Sequence, residues 1–118
     1  MPFLHEALRS YVKSPELFHC PADTGYDIED FTGRPLSARP TSFGRFGTSY
    51  NFRTEISFRH AGEMTFQTPA EFNVLMDAAG SWHGSRILGS QRYNVLHPDG
   101  HAKNISRSQL DLLWAKPL

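Results

Sequence analysis

The sequence predicts an α+β domain. An N-terminal amphipathic helix packs on an antiparallel β-sheet of three to four strands, and a short C-terminal helix closes the fold. Three stretches carry this expectation: a β-hairpin over Arg92–Ser106, a helix start at Ser106–Gln109, and helical spacing near the N-terminus.

The hairpin is the clearest. Tyr93-Asn94-Val95-Leu96-His97 is rich in β-formers, and Pro98-Asp99-Gly100 supplies the reversal. Proline presets φ at the first corner, aspartate suits the second, and glycine accepts the left-handed conformation that closes a type I turn with a bulge. This places His97 opposite His101, Leu96 opposite Ala102, Val95 opposite Lys103 and Tyr93 opposite Ile105. Ser106-Arg107-Ser108-Gln109 then fits a capping box, with Ile105 and Leu110 as its hydrophobic staple. Leu110, Leu113 and Trp114 share one face, so this helix lies on the sheet until Pro117.

Leu4, Leu8, Tyr11 and Val12 recur at helical spacing, with His5, Glu6, Arg9 and Lys13 on the other side. The spacing predicts two to three helical turns, ended by Ser14-Pro15. Phe18–Asp23 follows as a loop whose apolar ends dock on the core. Thr24–Thr48, with six glycines and prolines, reads as a long irregular excursion, and such loops tend to carry function. Ser49–Phe52 reads as a strand that Glu55–Phe58 extends or follows. Thr68–Glu71 leads into a strand over Phe72–Asp77, with Phe72, Val74 and Met76 on one face and Asn73, Leu75 and Asp77 on the other. Ala78–Gly89 is a loop that contains Ser81-Trp82-His83-Gly84, with Trp82 as its anchor to the core.

Length and charge bound the possibilities. At 118 residues the chain reads as one domain over 1–118. Twelve basic and twelve acidic residues cancel, so no long-range field favours nucleic acid or an anionic membrane. Cys20 is the single cysteine, which excludes an intramolecular disulfide. No run of about eighteen apolar residues is present to span a bilayer. The opening Met1-Pro2-Phe3 lacks a signal-peptide pattern. Read literally, the chain is soluble and unexported.

The candidate chemistries are metal binding, nucleophilic catalysis and stacking on nucleic acid. His97 and His101, as cross-strand partners with Cβ atoms about 4.5–5.5 Å apart, could share a metal ion with Asp99 at the turn, helped by His83 or Asp77. A plain surface turn accounts for the same residues. Calcium is the cofactor that acidic groups would take, from Asp23, Asp27, Glu29 and Asp30 or from Asp77 and Asp99, although the spacing fits no EF-hand loop. Cys20 as a nucleophile needs a histidine, and the adjacent His19 points away from it, so a small buried cysteine is the simpler reading. Ser81 lacks a Gly-x-Ser-x-Gly elbow. Arginines 34, 39, 45, 53 and 59 alternate with Phe43, Phe46, Phe52 and Phe58, a faint pattern for stacking on single-stranded nucleic acid that zero net charge argues against.

Four segments, in order along the chain, carry a family likeness. Leu8–Lys13 followed by Phe18-His19-Cys20-Pro21-Ala22-Asp23 is similar to the last turns of a long helix followed by a CPxD passage. Gly47–Phe52 is similar to an SYxxN strand. Val74–Ala78 with Trp82-His83-Gly84 is similar to a D…HG segment, and Asn94–His101 to an NVLFADGH hairpin. Together they resemble the globular part of type II secretion pseudopilins and type IV pilin-like proteins, in particular a prepilin-type family marked by a His–nine residues–Asp-Gly signature. Gly89 stands where that signature histidine would fall before Asp99, and His83 takes its place after an insertion.

The resemblance implies a pilin fold, with the first helix as the amphipathic second half of a longer one whose leader and membrane-spanning half precede this sequence. It implies a structural subunit of a secretion pseudopilus or pilus-like filament, in the periplasm or at the cell surface and anchored in the inner membrane. Its partners would be other pilin-like subunits and secretion-system components. No catalytic residue is implied, and the calcium that related pseudopilins hold has no matching ligand set here. Asp99 and Gly100 would form the turn, and Asp77 and His83 would fix packing and loop. The rival classes are a small metal-dependent enzyme using His97, Asp99 and His101, and a free-standing cytoplasmic binding module.

Overall fold

An antiparallel sheet ordered along the sequence organises the structure. Its strands among the described residues are β1 (Tyr50–Phe52), β2 (Leu75–Asp77), β3 (Arg92–Leu96) and β4 (Ala102–Ser106). The computed structural model describes residues 3–25, 41–59, 70–85 and 87–116. With four short α-helices, α1 (Leu4–Ala7), α2 (Ser42–Phe46), α3 (Glu55–Arg59) and α4 (Arg107–Ala115), the class is α+β.

The hairpin has the register its turn chemistry requires: Tyr93 pairs with Ile105, Val95 with Lys103 and Leu96 with Ala102. His97 N–H donates to His101 O at 2.9 Å, and Gly100 N–H donates to His97 O at 2.9 Å. Gly100 sits at φ 90°, a conformation that costs an L-residue about 1–2 kcal/mol. β4 then runs straight into α4. Gln109 N–H donates to Ser106 Oγ while Ser106 N–H donates to Gln109 Oε1, so the capping box forms in both directions. Met76, Tyr93, Val95, Ile105 and Leu110 make the apolar cluster between sheet and α4, with Leu113 packed against it.

The opposite face of the sheet is polar at its centre. Tyr50 pairs with Asp77, and extending the β2–β3 register by one residue sets Asp77 across from Asn94. These side chains alternate with Met76 and Val95 and point away from the apolar cluster.

A buried cation ties β1 to the end of α4. Arg53, 2 % exposed, donates from Nη1 to Asn73 Oδ1 (3.1 Å) and Leu113 O (3.2 Å), and from Nη2 to Trp114 O (3.4 Å) and Lys116 O (2.7 Å). The three carbonyls belong to the last turn of α4 and its C-cap, where backbone acceptors lack helical partners and the helix dipole is negative. Glu55 pairs with the guanidinium from the other side, and Trp114 and Phe72 stack near it, 5.3 and 5.8 Å from ring centroid to Cζ.

Four expectations change. The helix expected over Leu4–Lys13 is one α-helical turn, Leu4–Ala7, followed by a 3-10 turn, Arg9–Tyr11, with Val12 extended and a second 3-10 turn over Pro15–Phe18. A ten-residue helix is marginal without continuous packing. Ser14, restricted by Pro15, is held in the β region. Glu55–Phe58, expected as strand, is helical in α3. Ile56 N–H bonds to Arg53 O and Ser57 N–H to Thr54 O, so the chain turns as Arg53 dives inward. The strand over Phe72–Asp77 narrows to Leu75–Asp77. Val74 still pairs on both sides, through Arg53 N–H to Val74 O and Val74 N–H to Leu96 O, but Phe72 and Asn73 are both buried instead of alternating. Within Thr24–Thr48, α2 interrupts the irregular stretch, capped by Thr41 Oγ1 and closed by Gly47 at φ 82°. Thr68, Pro69 and Pro117 lie outside the described residues.

Replacing Arg53 with leucine keeps apolar bulk but strands Asn73 and the α4 carbonyls. A loss of about 3 kcal/mol is expected in urea denaturation, against about 1 kcal/mol for Gly100→Ala, where only backbone strain is added because the space beside Gly100 is open. Equal losses for the two variants would show that Arg53 does not anchor α4.

Candidate metal centre

The polar face is assembled by the segment Phe18–Gly25 crossing the start of β1. Ser49 is its pivot: its N–H donates to Phe18 O (2.8 Å), its Oγ accepts from Cys20 N–H (3.0 Å), and its hydroxyl donates to Asp23 Oδ2 (2.7 Å). Asp23 gathers three more donors. Gly25 N–H and Ser42 N–H meet Oδ1 at 3.0 Å each, and Phe43 N–H meets Oδ2 at 2.8 Å. Burial alone would raise the Asp23 pKa, but the bonds from Phe43, Ser42, Ser49 and Gly25 together outweigh it and hold the carboxyl below its ordinary value. Both oxygens are committed to donors, so Asp23 has no lone pair left for calcium. Asp27, Glu29 and Asp30, the other candidates in that stretch, lie outside the described residues.

A second group lies alongside and is arranged differently. Cys20 (5 % exposed) and Asp77 (1 %) are buried, and His83 is half-buried on the loop after β2. Two contacts hold that loop in place. Trp82 Nε1–H donates to Gly25 O at 3.0 Å, so it ties the loop to the Phe18–Gly25 segment and not to the apolar cluster expected as its anchor. A Cβ at Gly84 would lie 2.6 Å from both Arg92 N and Ser90 O, so glycine lets the loop rest on the backbone leading into β3. His83 Nε2 consequently stands 3.3 Å from Cys20 Sγ and 3.6 Å from Asp77 Oδ2. One ligand atom from each of the three lies within 4.8 Å of the other two.

Desolvation dominates the electrostatics here. Burial pushes the Asp77 carboxyl up, only partly countered by the Asn94 N–H donating to Oδ2 at 2.6 Å and by His83. Asp77 Oδ1 has no hydrogen-bond partner among the described residues. Burial also raises the Cys20 thiol, and the charges of Asp77 and Asp23 add to it, against hydrogen bonds from the Ala22 and Asp23 backbone. Tyr50, across from Asp77, is raised by burial and then by Cys20 and Asp77.

The arrangement is not a nucleophilic relay. A Cys–His–Asp relay needs thiol and carboxylate on opposite ring nitrogens, so that one orients the imidazole while the other exchanges a proton. Here both meet the same nitrogen, Nε2. In neutral imidazole that atom either accepts or donates, so it cannot serve thiol and carboxylate in both senses at once.

The residues singled out from sequence are distributed over two places. His83 and Asp77 come together, but with Cys20 and not with the hairpin histidines. His97 and His101 do meet across the turn, as parallel rings 4.1 Å apart. His97 is buried, with Nδ1 2.8 Å from Phe72 O, and burial lowers its pKa ahead of the smaller influence of His101. His101 Nδ1 contacts Asp99 Oδ1. Among the described residues, Cys20, Asp77 and His83 are the set of three that converges within metal-binding distance. His19 points elsewhere, bonded to Glu16 and stacked on Phe43. Arg53 is buried in the fold and presents no face to a nucleic acid. Arg34 and Arg39 lie outside the described residues. The pairing of Cys20 with His83 had no signal in local spacing; it arises from Ser49 and the sheet register.

Compared with protein-family models, curated proteins and solved structures, the chain matches none.

Asp23→Asn is expected to lower stability by about 2 kcal/mol at pH 7, since a charged acceptor of four bonds becomes a neutral amide with one acceptor oxygen. The folded pKa is depressed below the unfolded value of about 3.9, so the stabilisation is present above about pH 4 and is lost as pH falls through the folded pKa. Urea denaturation of both proteins between pH 3 and 7 should show the gap narrowing at the acid end. A gap that stays constant would mean that carboxylate charge contributes nothing.

Proposed function

We propose that this chain is the globular domain of a pilin-like filament subunit of the pseudopilin class, acting through protein–protein contacts without catalysis. One observation carries the reading: residues of the motif-like segments spend their polar atoms on joining separate segments of the fold, the N-terminal segment to β1 and β2 to β3. Asp23 of the CPxD-like passage takes four bonds, and Ser49 of the SYxxN-like strand bridges it to Cys20. Asp77 of the D…HG-like segment accepts from the backbone of Asn94 in the hairpin-like segment. Motif residues used this way serve architecture, which is what a subunit that works by shape requires.

Surface apolarity supports the same reading. Phe3, Tyr11 and Leu17 of the N-terminal segment are 59, 84 and 67 % exposed. A groove of about 650 Å³ runs between that segment and the sheet, lined in part by Phe3, Leu4, Phe18, Phe46, Phe52 and Trp114. Contiguous apolar surface of this kind suits contact with another protein. In this reading the N-terminal segment follows a membrane-spanning half-helix, which gives way here to one α-helical turn and two 3-10 turns. The sheet faces neighbouring subunits or secretion-system components in the periplasm or at the cell surface. No helix among the described residues is long and apolar enough to cross a membrane.

The reading is tested by sequencing the genomic DNA upstream of the Pro2 codon. The expected result is a continuous frame encoding a short basic leader and about twenty apolar residues. An in-frame stop codon directly upstream overturns the proposal.

A further inference from the structure

We propose that Cys20, Asp77 and His83 bind a divalent cation of the zinc class, with a fourth position open to water. The site is argued from the geometry and chemistry of these three residues and stands whether or not the filament reading does.

Bond lengths of about 2.3 Å to sulfur and 2.0–2.1 Å to nitrogen or oxygen give tetrahedral edges of roughly 3.6 Å for S···N and 3.3 Å for N···O. The observed edges are 3.3 Å from Cys20 Sγ to His83 Nε2 and 3.6 Å from that nitrogen to Asp77 Oδ2. All three ligand atoms lie within 4.8 Å of one another, and the two edges that meet at His83 Nε2 each depart from the tetrahedral values by about 0.3 Å. The shared Nε2 is the telling feature. Cys20 Sγ and Asp77 Oδ2 both approach it, and at 3.6 Å the carboxylate is too far for a hydrogen bond to the ring, whereas a cation between the three atoms would take a lone pair from each.

A second observation is independent of that convergence. Asp77 is 1 % exposed, and its Oδ1 has no partner among the described residues. A carboxylate so placed is costly unless a positive charge compensates it. A divalent ion with Cys20 thiolate and Asp77 carboxylate makes a neutral centre.

The donor set chooses the metal. Thiolate and imidazole are poor ligands for calcium or magnesium, which take oxygen, whereas one sulfur, one nitrogen and one oxygen suit zinc. Binding replaces the Cys20 S–H bond with an S–metal bond and releases one proton to solvent. The bound ion would pin the N-terminal segment, β2 and the loop carrying His83 to one another.

The test uses the purified chain after treatment with a chelator. Cobalt(II), as a spectroscopic stand-in for zinc, should bind at one equivalent with a thiolate-to-metal charge-transfer band in the near ultraviolet. Zinc should displace it. His83→Gln, on a half-buried loop residue and checked for folding by circular dichroism, should weaken binding at least tenfold. Because Cys20 and Asp77 are buried and their variants risk unfolding, the unmodified chain supplies a second readout. Cys20 is the single cysteine, so one equivalent of zinc should slow its reaction with a thiol reagent at least tenfold, and a chelator should restore the rate. A folded chain that binds cobalt without the charge-transfer band, binds it equally well as His83→Gln, or leaves Cys20 equally reactive with zinc overturns the proposal.

Discussion

The Asp23 carboxylate is the interaction on which the polar half of the structure depends. A buried carboxylate persists only if donors replace the water it loses, and Asp23 takes them from the turn at Gly25, the start of α2 and Ser49. α2 is only five residues long, too short to hold its own place, and its first N–H groups have no helical acceptor. Asp23 accepts two of them. Through Ser49 the same carboxylate also fixes the height of Cys20 against the sheet. Ala78 N–H donates to Ser49 O, which brings β2 into the arrangement.

Arg53 does the complementary work at the other end of β1. That strand has only three residues, so its ladder bonds alone hold it weakly. A buried anion lies at its start and a buried cation just past its end, each held mainly by backbone groups of other segments and in part by side chains, Ser49 on Asp23 and Asn73 and Glu55 on Arg53. The two charges are oppositely matched. Asp23 faces the N–H groups of a helix start, and Arg53 faces the carbonyls of a helix end, where the backbone dipoles favour those signs. Opening the strand at either end would leave a desolvated charge without partners, which costs more than the ladder bonds it would break.

What could be read from the chain follows from how local each determinant is. The Pro98-Asp99-Gly100 turn and the Ser106–Gln109 cap are fixed by neighbours in sequence, and both have the anticipated geometry. The N-terminal helix failed as an expectation because Leu4, Leu8 and Val12 have the right period but only partial burial, and Pro15 acts back through Ser14. Glu55–Phe58 failed because the sheet ends where Arg53 turns inward, a tertiary event that β-propensity does not record. Thr41 caps α2 and Gly47 closes it, but the glycines and prolines around them read as an irregular stretch. Cys20, Asp77 and His83 were each visible separately. Their convergence depends on Ser49 and on the β1–β2 register, which no local window contains.

Asp23 and Asp77 show why the two halves of the polar face differ. They are the same residue type, 6 and 1 % exposed, and their acidities move in opposite directions. Asp23 has two donors on each oxygen, so its charged form is stabilised. Asp77 has one backbone donor on Oδ2 and none on Oδ1 among the described residues, so desolvation prevails. A carboxylate recruited only to hold the fold has no reason to leave a buried oxygen without a donor. Neutralising Asp77 by protonation would remove its charge but leave Cys20 and Asp77 beside the same nitrogen of His83. A cation at that point would be ligated by all three groups together, and the same contact would fasten the N-terminal segment to the sheet that Asp23 and Ser49 have already brought beside it.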